Sequence, residues 1–273
     1  MSELIKEEIF TTVKKKRFII LTALLFIAAV IKTVMTKTDY WNDLTFSFAM
    51  QDYVWSFFDP FMGMIVTLAV YRRRYINSSI LQAEKHSVKK CQSVIARAIS
   101  GSIILACCYA LIALFVILLG LIFGAHATAQ QTGDLMFVIL GGFFAAVASY
   151  ISALALMYLI PLFSIFPVIW SGILMYLAPY ILNSLNQHEA FVIIRFLVPK
   201  SNMDVFSTGL GLSYFRWDCI GILLLQIAVP LLLAILIFKI KKFKEKKPRE
   251  KKGEANPSED DEAAAVIAAN VVV

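Results

Sequence analysis

The sequence lacks the short motifs that mark many nucleotide-binding and metal-dependent enzymes. It contains no G-x-x-x-x-G-K-[ST] phosphate-binding loop, no G-x-G-x-x-G and no H-E-x-x-H. Its three histidines, His86, His126 and His188, are widely separated, and none lies near a cysteine pair. We therefore expect no metal site in this chain, and we expect any energy source for its function to lie outside it.

Cysteine and charge are also scarce. The four cysteines have no spacing that indicates a disulfide framework, so free thiols are expected. Charged residues make up only 16% of the chain and hydrophobic residues make up 59%. This balance excludes an ordinary soluble domain.

Long hydrophobic runs, in contrast, are abundant. A run of about 18 or more apolar residues can cross a ~30 Å hydrocarbon core as a helix, and the polar pieces between these runs are too short to bury a core of their own. We predict an all-α polytopic membrane protein with one six-span transmembrane domain over residues 18–238. The predicted spans are 18–35, 53–70, 99–124, 135–159, 161–182 and 219–238.

The basic residues predict the orientation of the chain. Of the 26 Lys and Arg, 21 lie in three segments: the N-terminus to Arg17, the stretch 71–97, and 239–252. A six-span path with both termini in the cytoplasm places all three segments on the cytoplasmic side, as the positive-inside rule requires. The net charge of +7 therefore indicates topology and contact with anionic lipid, and it does not indicate nucleic-acid binding. The other five basic residues are expected at or beyond the opposite face: Lys32, Lys37, Arg195, Lys200 and Arg216.

Both ends of the chain differ in composition from the spans. In residues 1–17, Ile5, Ile9 and Val13 recur at four-residue spacing, which predicts an amphipathic interfacial helix, although a merely solvated start is also compatible. Residues 239–273 run from a basic cluster through a polar linker to an 11-residue apolar stretch that is too short to cross a bilayer. We expect this tail to be cytoplasmic and disordered, or to bind a partner.

Two ionisable residues fall inside predicted spans. Lys32 lies roughly 21 Å along the first span, and Asp59, which precedes Pro60, lies roughly 18 Å along the second. Charges inside a membrane are costly and usually paired or in contact with water. We therefore predict a Lys32–Asp59 ion pair or a polar pathway, with the alternative that Lys32 extends outward and Asp59 ends its helix near the outer boundary.

Two further features concern packing. The row Gly141, Ala145, Ser149 and Ala153 predicts a close helix–helix contact, either within the chain or between subunits. Between spans five and six, the stretches 190–198 and 205–215 are too short to cross, so we predict short re-entrant or surface helices there.

The long basic stretch 71–97 carries a family resemblance. It contains Asn77-Ser78-Ser79-Ile80, then Ser87 before Lys89 and Lys90, then Arg97. Together with the six-span outline, this stretch resembles the Asn-Gly-Thr-Ile, Ser-Arg and Lys pattern of type-2 ABC transporter permeases. Ser78 stands where glycine is common in that family.

The resemblance implies a cytoplasmic coupling helix between spans two and three that docks on a separate ABC ATPase. That ATPase would bind ATP and Mg²⁺, so this chain would need no cofactor. The residues expected at the docking contact are Asn77, Ser78, Ser79, Gln82, Glu84, Lys85 and His86.

The resemblance also implies a permease subunit, paired with a second copy or a sister permease in a bacterial cytoplasmic membrane. We expect it to export a peptide, a drug-like molecule or a lipid-linked substrate. Two alternatives remain open at this point: a membrane-embedded enzyme, and a membrane sensor or scaffold that transports nothing.

Overall fold

The structure is a computed structural model, and it describes residues 1–39, 43–70, 90–124, 129–159, 165–184, 197–209 and 217–240. All regular structure in these residues is helical, and they belong to one compact unit, Met1–Lys241. The α-helices are α1 (Ser2–Val13), α2 (Lys16–Asp39), α3 (Asp43–Tyr53), α4 (Asp59–Val70), α5 (Lys90–Phe123), α6 (Ala129–Leu159), α7 (Phe166–Gly172), α8 (Ala178–Ser184), α9 (Pro199–Gly209) and α10 (Trp217–Ile240).

Five helical segments are long and apolar enough to cross a membrane: Lys16–Lys37, Phe46–Val70, Cys91–Phe123, Gln131–Leu159 and Asp218–Ile240. They correspond to five of the six predicted spans and confirm the all-helical, multi-pass membrane character of the chain. The remaining predicted span corresponds to a shorter apolar helix, Phe166–Leu182, which is roughly 25 Å long.

Two helices contain a wider, π-helical turn, and each of these turns comes just before a proline. Val54–Phe58 joins α3 to α4 and precedes Pro60, while Ile173–Leu177 joins α7 to α8 and precedes Pro179. Proline has no N–H to donate, and its ring collides with the carbonyl one turn earlier in a regular α-helix. A π-turn changes the local register of the hydrogen bonds, so both helices continue past their prolines.

The long helix α6 lies at the centre of the bundle, in contact with α4, α5, α7, α9 and α10. Its Tyr150 and Tyr158 are fully buried. The peripheral helices α2 and α10 instead expose rows of large apolar side chains, as spans in contact with lipid do: Leu24, Ile27 and Ile31 on α2, and Leu225, Leu232 and Leu236 on α10.

The small-residue row of α6 packs inside the chain. All four of its members, Gly141, Ala145, Ser149 and Ala153, are buried. The hydroxyl of Ser149 lies 3.3 Å from that of Ser171 on α7, and a Cβ on Gly63 of α4 would lie 3.1 Å from the Ser171 oxygen. Of the two contacts that the sequence left open for this row, the structure has the one within the chain.

Prolines mark the boundaries of α7 and α9. Helix α6 ends at Leu159, and Pro167 lies in the first turn of α7, which agrees with an interruption between spans four and five. A short helix is present between Ser184 and Trp217, but α9 covers Pro199–Gly209 and therefore begins six residues before the predicted stretch 205–215. Proline fits the first turn of a helix, where the backbone N–H groups have no helical acceptor. Residues 190–196 and 210–215 of the predicted stretches lie outside the described residues.

The N-terminal helix is present, but its buried face differs from the apolar row in the sequence. Leu4, Glu8 and Thr12 are buried, whereas Phe10 and Val13 are exposed. Helix α1 packs mainly against α5. A carboxylate therefore lies at the centre of its protein-facing side.

Candidate functional site

The candidate site is a cluster of ionisable side chains in the interior of the bundle. It consists of Asp59 at the start of α4, Tyr109 on α5, and Lys200 and Asp204 on α9, and we call it the charged core. Asp59 is fully buried, and the side chains of Lys200 and Asp204 are 3% and 11% exposed. Ionisable side chains inside a membrane protein usually indicate a functional site, because burying a charge costs more free energy than burying an apolar side chain at the same position.

Asp59 is positioned by the π-turn that precedes it. The Asp59 N–H donates to the carbonyl oxygen of Val54, five residues earlier. This wider turn accommodates Pro60, whose ring would otherwise collide with the carbonyl of Ser56. The carboxylate is therefore held at a break in regular helix geometry, at a point where α4 lies against α5 and α6.

Both oxygens of the Asp59 carboxylate accept hydrogen bonds. Lys200 Nζ donates to Oδ2 over 2.6 Å, and the Tyr109 hydroxyl donates to Oδ1 over 2.9 Å. Lys200 Nζ also lies 3.1 Å from Asp204 Oδ1, one turn further along α9. One ammonium thus bridges two carboxylates that belong to different helices.

The Asp59 carboxylate is also closely packed. Gly142 of α6 faces it so closely that a Cβ there would lie 2.3 Å from Oδ1. The ring of Trp55 lies 5.8 Å from Lys200 Nζ, within the range of a cation–π interaction. The Asp59 carboxylate and the Lys200 ammonium are therefore closely packed against Gly142 and Trp55.

The ammonium of Lys200 is stable in its charged form. Burial by itself lowers the pKa of Lys200, but the charges and hydrogen bonds of Asp59 and Asp204 outweigh that effect, so the pKa is raised above its ordinary value. The cluster accordingly contains a charged lysine at neutral pH. Such a pair can hold α9 in the bundle, because separation of its two members leaves each charge buried without its partner.

Two polar atoms next to Lys200 have no hydrogen-bond partner among the described residues. They are the hydroxyl of Ser201 and the amide oxygen of Asn202. The Asn202 side-chain nitrogen donates to the carbonyl of Cys219 over 2.9 Å, which ties α9 to α10. The N-terminal turn of α9 is thus polar and buried, although it lies between apolar helices.

The predicted Lys32–Asp59 pair is not formed, because each residue has another partner. Lys32 Nζ lies 2.9 Å from Asp52 Oδ2, and the two side chains are 40% and 58% exposed. Asp52 lies about two turns before Asp59 on the same helical segment, so Lys32 reaches the more exposed of the two carboxylates. Lys200, expected at the far face, occupies the interior instead and pairs with Asp59.

A second buried ion pair anchors the N-terminal helix. Arg97 Nε donates to Glu8 Oε1 over 3.1 Å, and both side chains are almost completely buried. The Tyr150 hydroxyl donates to the Arg97 carbonyl over 2.8 Å. Lys15, just after α1, donates to the carbonyl of Ala69 near the end of α4. We call the two contacts Glu8–Arg97 and Lys15–Ala69 the N-terminal clamp.

The clamp involves both spans that border the predicted coupling segment. Ala69 lies one residue before the end of α4, and Arg97 lies in the second turn of α5. The expected docking residues between them lie outside the described residues: Asn77, Ser78, Ser79, Gln82, Glu84, Lys85 and His86. The helices that flank this segment are therefore fixed to α1 from both sides.

Asp59 is recognisable in the sequence as a carboxylate inside an apolar run, whereas its partners on α9 were not predicted. Lys200 and Asp204 stand four residues apart, a spacing typical of ion pairs on one helix face, and this was the available signal. Glu8 was hidden because the apolar row beside it indicated a lipid-facing helix. Within the described residues, no group of three or more His, Cys, Asp or Glu side chains is arranged to hold a metal ion.

Comparison of the chain with protein-family models, with curated proteins and with solved structures gave no match.

Proposed function

We propose that the chain is the transmembrane permease subunit of an ATP-driven exporter of the type-2 ABC class. In this proposal six spans, with both termini in the cytoplasm, pair with a second copy or a sister permease. A separate cytoplasmic ATPase docks on the segment after α4 and supplies the energy. The substrate is a peptide, a drug-like molecule or a lipid-linked molecule.

The observation that supports this proposal best is that helix α4 connects the predicted docking segment, which follows Val70, to the Asp59–Lys200 ion pair. Helix α4 carries Asp59 at one end, and at Val70 it leads directly into the predicted docking segment. It is 12 residues long, roughly 18 Å. A displacement of the docking segment along α4 would therefore act directly on the Asp59–Lys200 ion pair and on α9, which belongs to the segment between spans five and six.

This connection suggests how ATP energy would open the permease. With the ion pair formed, α9 is held against α6 and α10. Movement of α4 would separate Asp59 from Lys200 and release α9. The packed arrangement resists a gradual change, since a buried pair is stable only when both charges are in contact. The transition would therefore be between two states.

Co-purification tests the proposal directly. The full chain, co-expressed with candidate ABC ATPases and extracted in mild detergent, should recover one of them as a stable complex. Alanine substitution of Ser79, Gln82, Glu84 and Lys85 together should reduce substrate-stimulated ATP turnover while the chain remains folded. Substitution of Lys32 and Asp52, an exposed pair in which Asp52 stands 18 residues before Val70, is the matched control and should leave coupling intact. Failure to recover any ATPase would contradict the proposal.

A membrane-embedded enzyme is the second candidate, because the charged core supplies several polar groups in one place. Carboxylates and a tyrosine hydroxyl are groups that can transfer protons during cleavage of a lipid or peptide bond. However, Lys200 neutralises Asp59 by direct contact, and Gly142 leaves no room beside that carboxylate for a substrate atom. Turnover of a labelled lipid or peptide by the purified chain, abolished by Asp59→Asn, would favour this candidate over transport.

A further inference from the structure

A second feature of the bundle, apart from the charged core, is a pocket between α2, α4 and α7. It has a volume of about 380 Å³. Buried side chains form its floor, namely Leu25, Ile65 and Val168, while Phe57 and Phe61 are about two-fifths exposed at its rim. All ten of its lining residues are apolar. The pocket therefore offers no hydrogen bond to a peptide backbone or to any polar ligand.

One end of the pocket meets a cluster of basic residues. On α2, Arg17 stands one turn before Leu21, and Leu21, Leu24 and Ala28 of the pocket continue along the same helix face. Arg17 is exposed. The pocket begins about one turn from this charge and extends roughly 10 Å along α2, as far as Ala28.

On α4, the residues at the same end of the pocket also lie near basic side chains. Leu68 of α4 lies at the rim, and the carbonyl of the next residue, Ala69, accepts a hydrogen bond from Lys15. Lys16, exposed at the start of α2, adds a further positive charge. An apolar pocket that ends at a cationic boundary has the two properties that an anionic phospholipid requires of its site.

We propose that this pocket binds one acyl chain of an anionic phospholipid, with the lipid phosphate at Arg17 and Lys16. The acyl chain lies between α2 and α4 against Leu25 and Ile65, and the lipid headgroup neutralises the basic end of α2. This site is independent of the proposed ATP-driven transport, since it rests on the pocket and its flanking charges alone.

The charges favour a lipid over a second copy of this chain as the occupant. Two copies related by a twofold axis along the membrane normal would bring their basic clusters to the same depth, facing each other. Like charges at close range near a low-dielectric boundary repel strongly. A phosphate in that position attracts them, and each basic residue near an anionic surface contributes about 1 kcal/mol.

Native mass spectrometry of the full chain in detergent tests this site. Phosphatidylglycerol and phosphatidylcholine with identical acyl chains are added in equal amounts. One phosphatidylglycerol should be retained in preference to phosphatidylcholine. Arg17→Gln should lower that preference by about fivefold, the value for the loss of one such charge. Ala28→Phe, which fills the pocket, should reduce retention of both lipids.

Two matched controls lie on α10, which also faces lipid. Lys239→Gln removes an exposed basic residue in the last turn of α10, and Ala228→Phe adds the same ring at an exposed position. Both should leave retention unchanged. If Ala28→Phe does not fold, Leu24→Trp at the exposed rim of the pocket replaces it and should reduce retention of both lipids in the same way.

Three results would overturn the proposal. The first is equal retention of the two lipids by the unmodified chain. The second is full retention of phosphatidylglycerol by a folded pocket-filling variant. The third is conversion of a dimer to a monomer by that variant with lipid binding unchanged, measured by light scattering, which would identify a second copy as the occupant.

Discussion

Lys200 Nζ lies 2.6 Å from Asp59 Oδ2, although 141 residues separate the two along the chain. Their contact joins α9 to the middle of the membrane-spanning segment Phe46–Val70. Because both charges are withdrawn from solvent, each depends on the other.

Removal of one member of this pair should destabilise the fold strongly. Lys200→Met leaves the Asp59 carboxylate buried without its ammonium, and loss of one partner of a buried pair costs about 3–5 kcal/mol. The double variant with Asp59→Asn and Lys200→Met should recover part of that loss, because neither site then carries a charge. Equilibrium unfolding in detergent micelles measures each step of this cycle.

The exposed Lys32–Asp52 pair is the internal control for that cycle. Its side chains are 40% and 58% exposed, so removal of either charge should cost no more than about 1 kcal/mol. Equal losses at the two pairs would mean that the burial of Asp59 has no energetic consequence, and would contradict the charged core described above.

Gly142 should not tolerate a methyl group. An alanine Cβ would lie 2.3 Å from Asp59 Oδ1, and the carboxylate cannot move away because Tyr109 and Lys200 hold both oxygens. We expect Gly142→Ala to lower the free energy of unfolding by about 1–3 kcal/mol, the usual cost of overpacking. Thermal unfolding followed by circular dichroism measures the change.

Gly221 on α10 provides the matched substitution. Nothing lies within 4 Å of the position of its Cβ, so Gly221→Ala should be neutral or should stabilise the helix by about 0.5–1 kcal/mol. A destabilisation as large as that of Gly142→Ala would show that the loss arises from helix packing in general, and not from contact with Asp59.

Glu8→Gln should loosen the N-terminal helix. The substitution keeps the shape of the side chain but removes the charge that faces Arg97, and the loss can reach about 3–5 kcal/mol for a buried pair. Limited trypsin digestion should then cut after Lys14 faster than in the unmodified chain.

Tyr150→Phe is the control that distinguishes loss of the Glu8–Arg97 ion pair from loss of another contact of Arg97. It removes a single hydrogen bond to the Arg97 carbonyl, which is worth about 1 kcal/mol. The Lys14 site should remain nearly as protected as before. Rapid cleavage in Tyr150→Phe with slow cleavage in Glu8→Gln would contradict the role assigned to the Glu8–Arg97 contact.

The sequence by itself determined the helical membrane character of the chain and the approximate limits of five membrane-spanning helices. These follow from run length and hydrophobicity, which are local properties fixed by the thickness of a bilayer. It also identified Asp59 as exceptional, because a carboxylate inside an apolar run is visible without any knowledge of its neighbours. The six-span count, the orientation and the docking segment remain predictions.

Only the tertiary structure decided which charges meet. Lys32 was the expected partner of Asp59, because the two lie at similar depths on adjacent spans. In the structure, with the π-turn before Pro60 and α9 packed into the bundle, Asp59 pairs with Lys200 and Lys32 pairs with Asp52. Glu8 likewise acquired its importance from Arg97, 89 residues away. A pattern along the chain reports periodicity and composition, whereas the pairing of buried charges depends on which helices pack together, and packing is a property of the whole bundle.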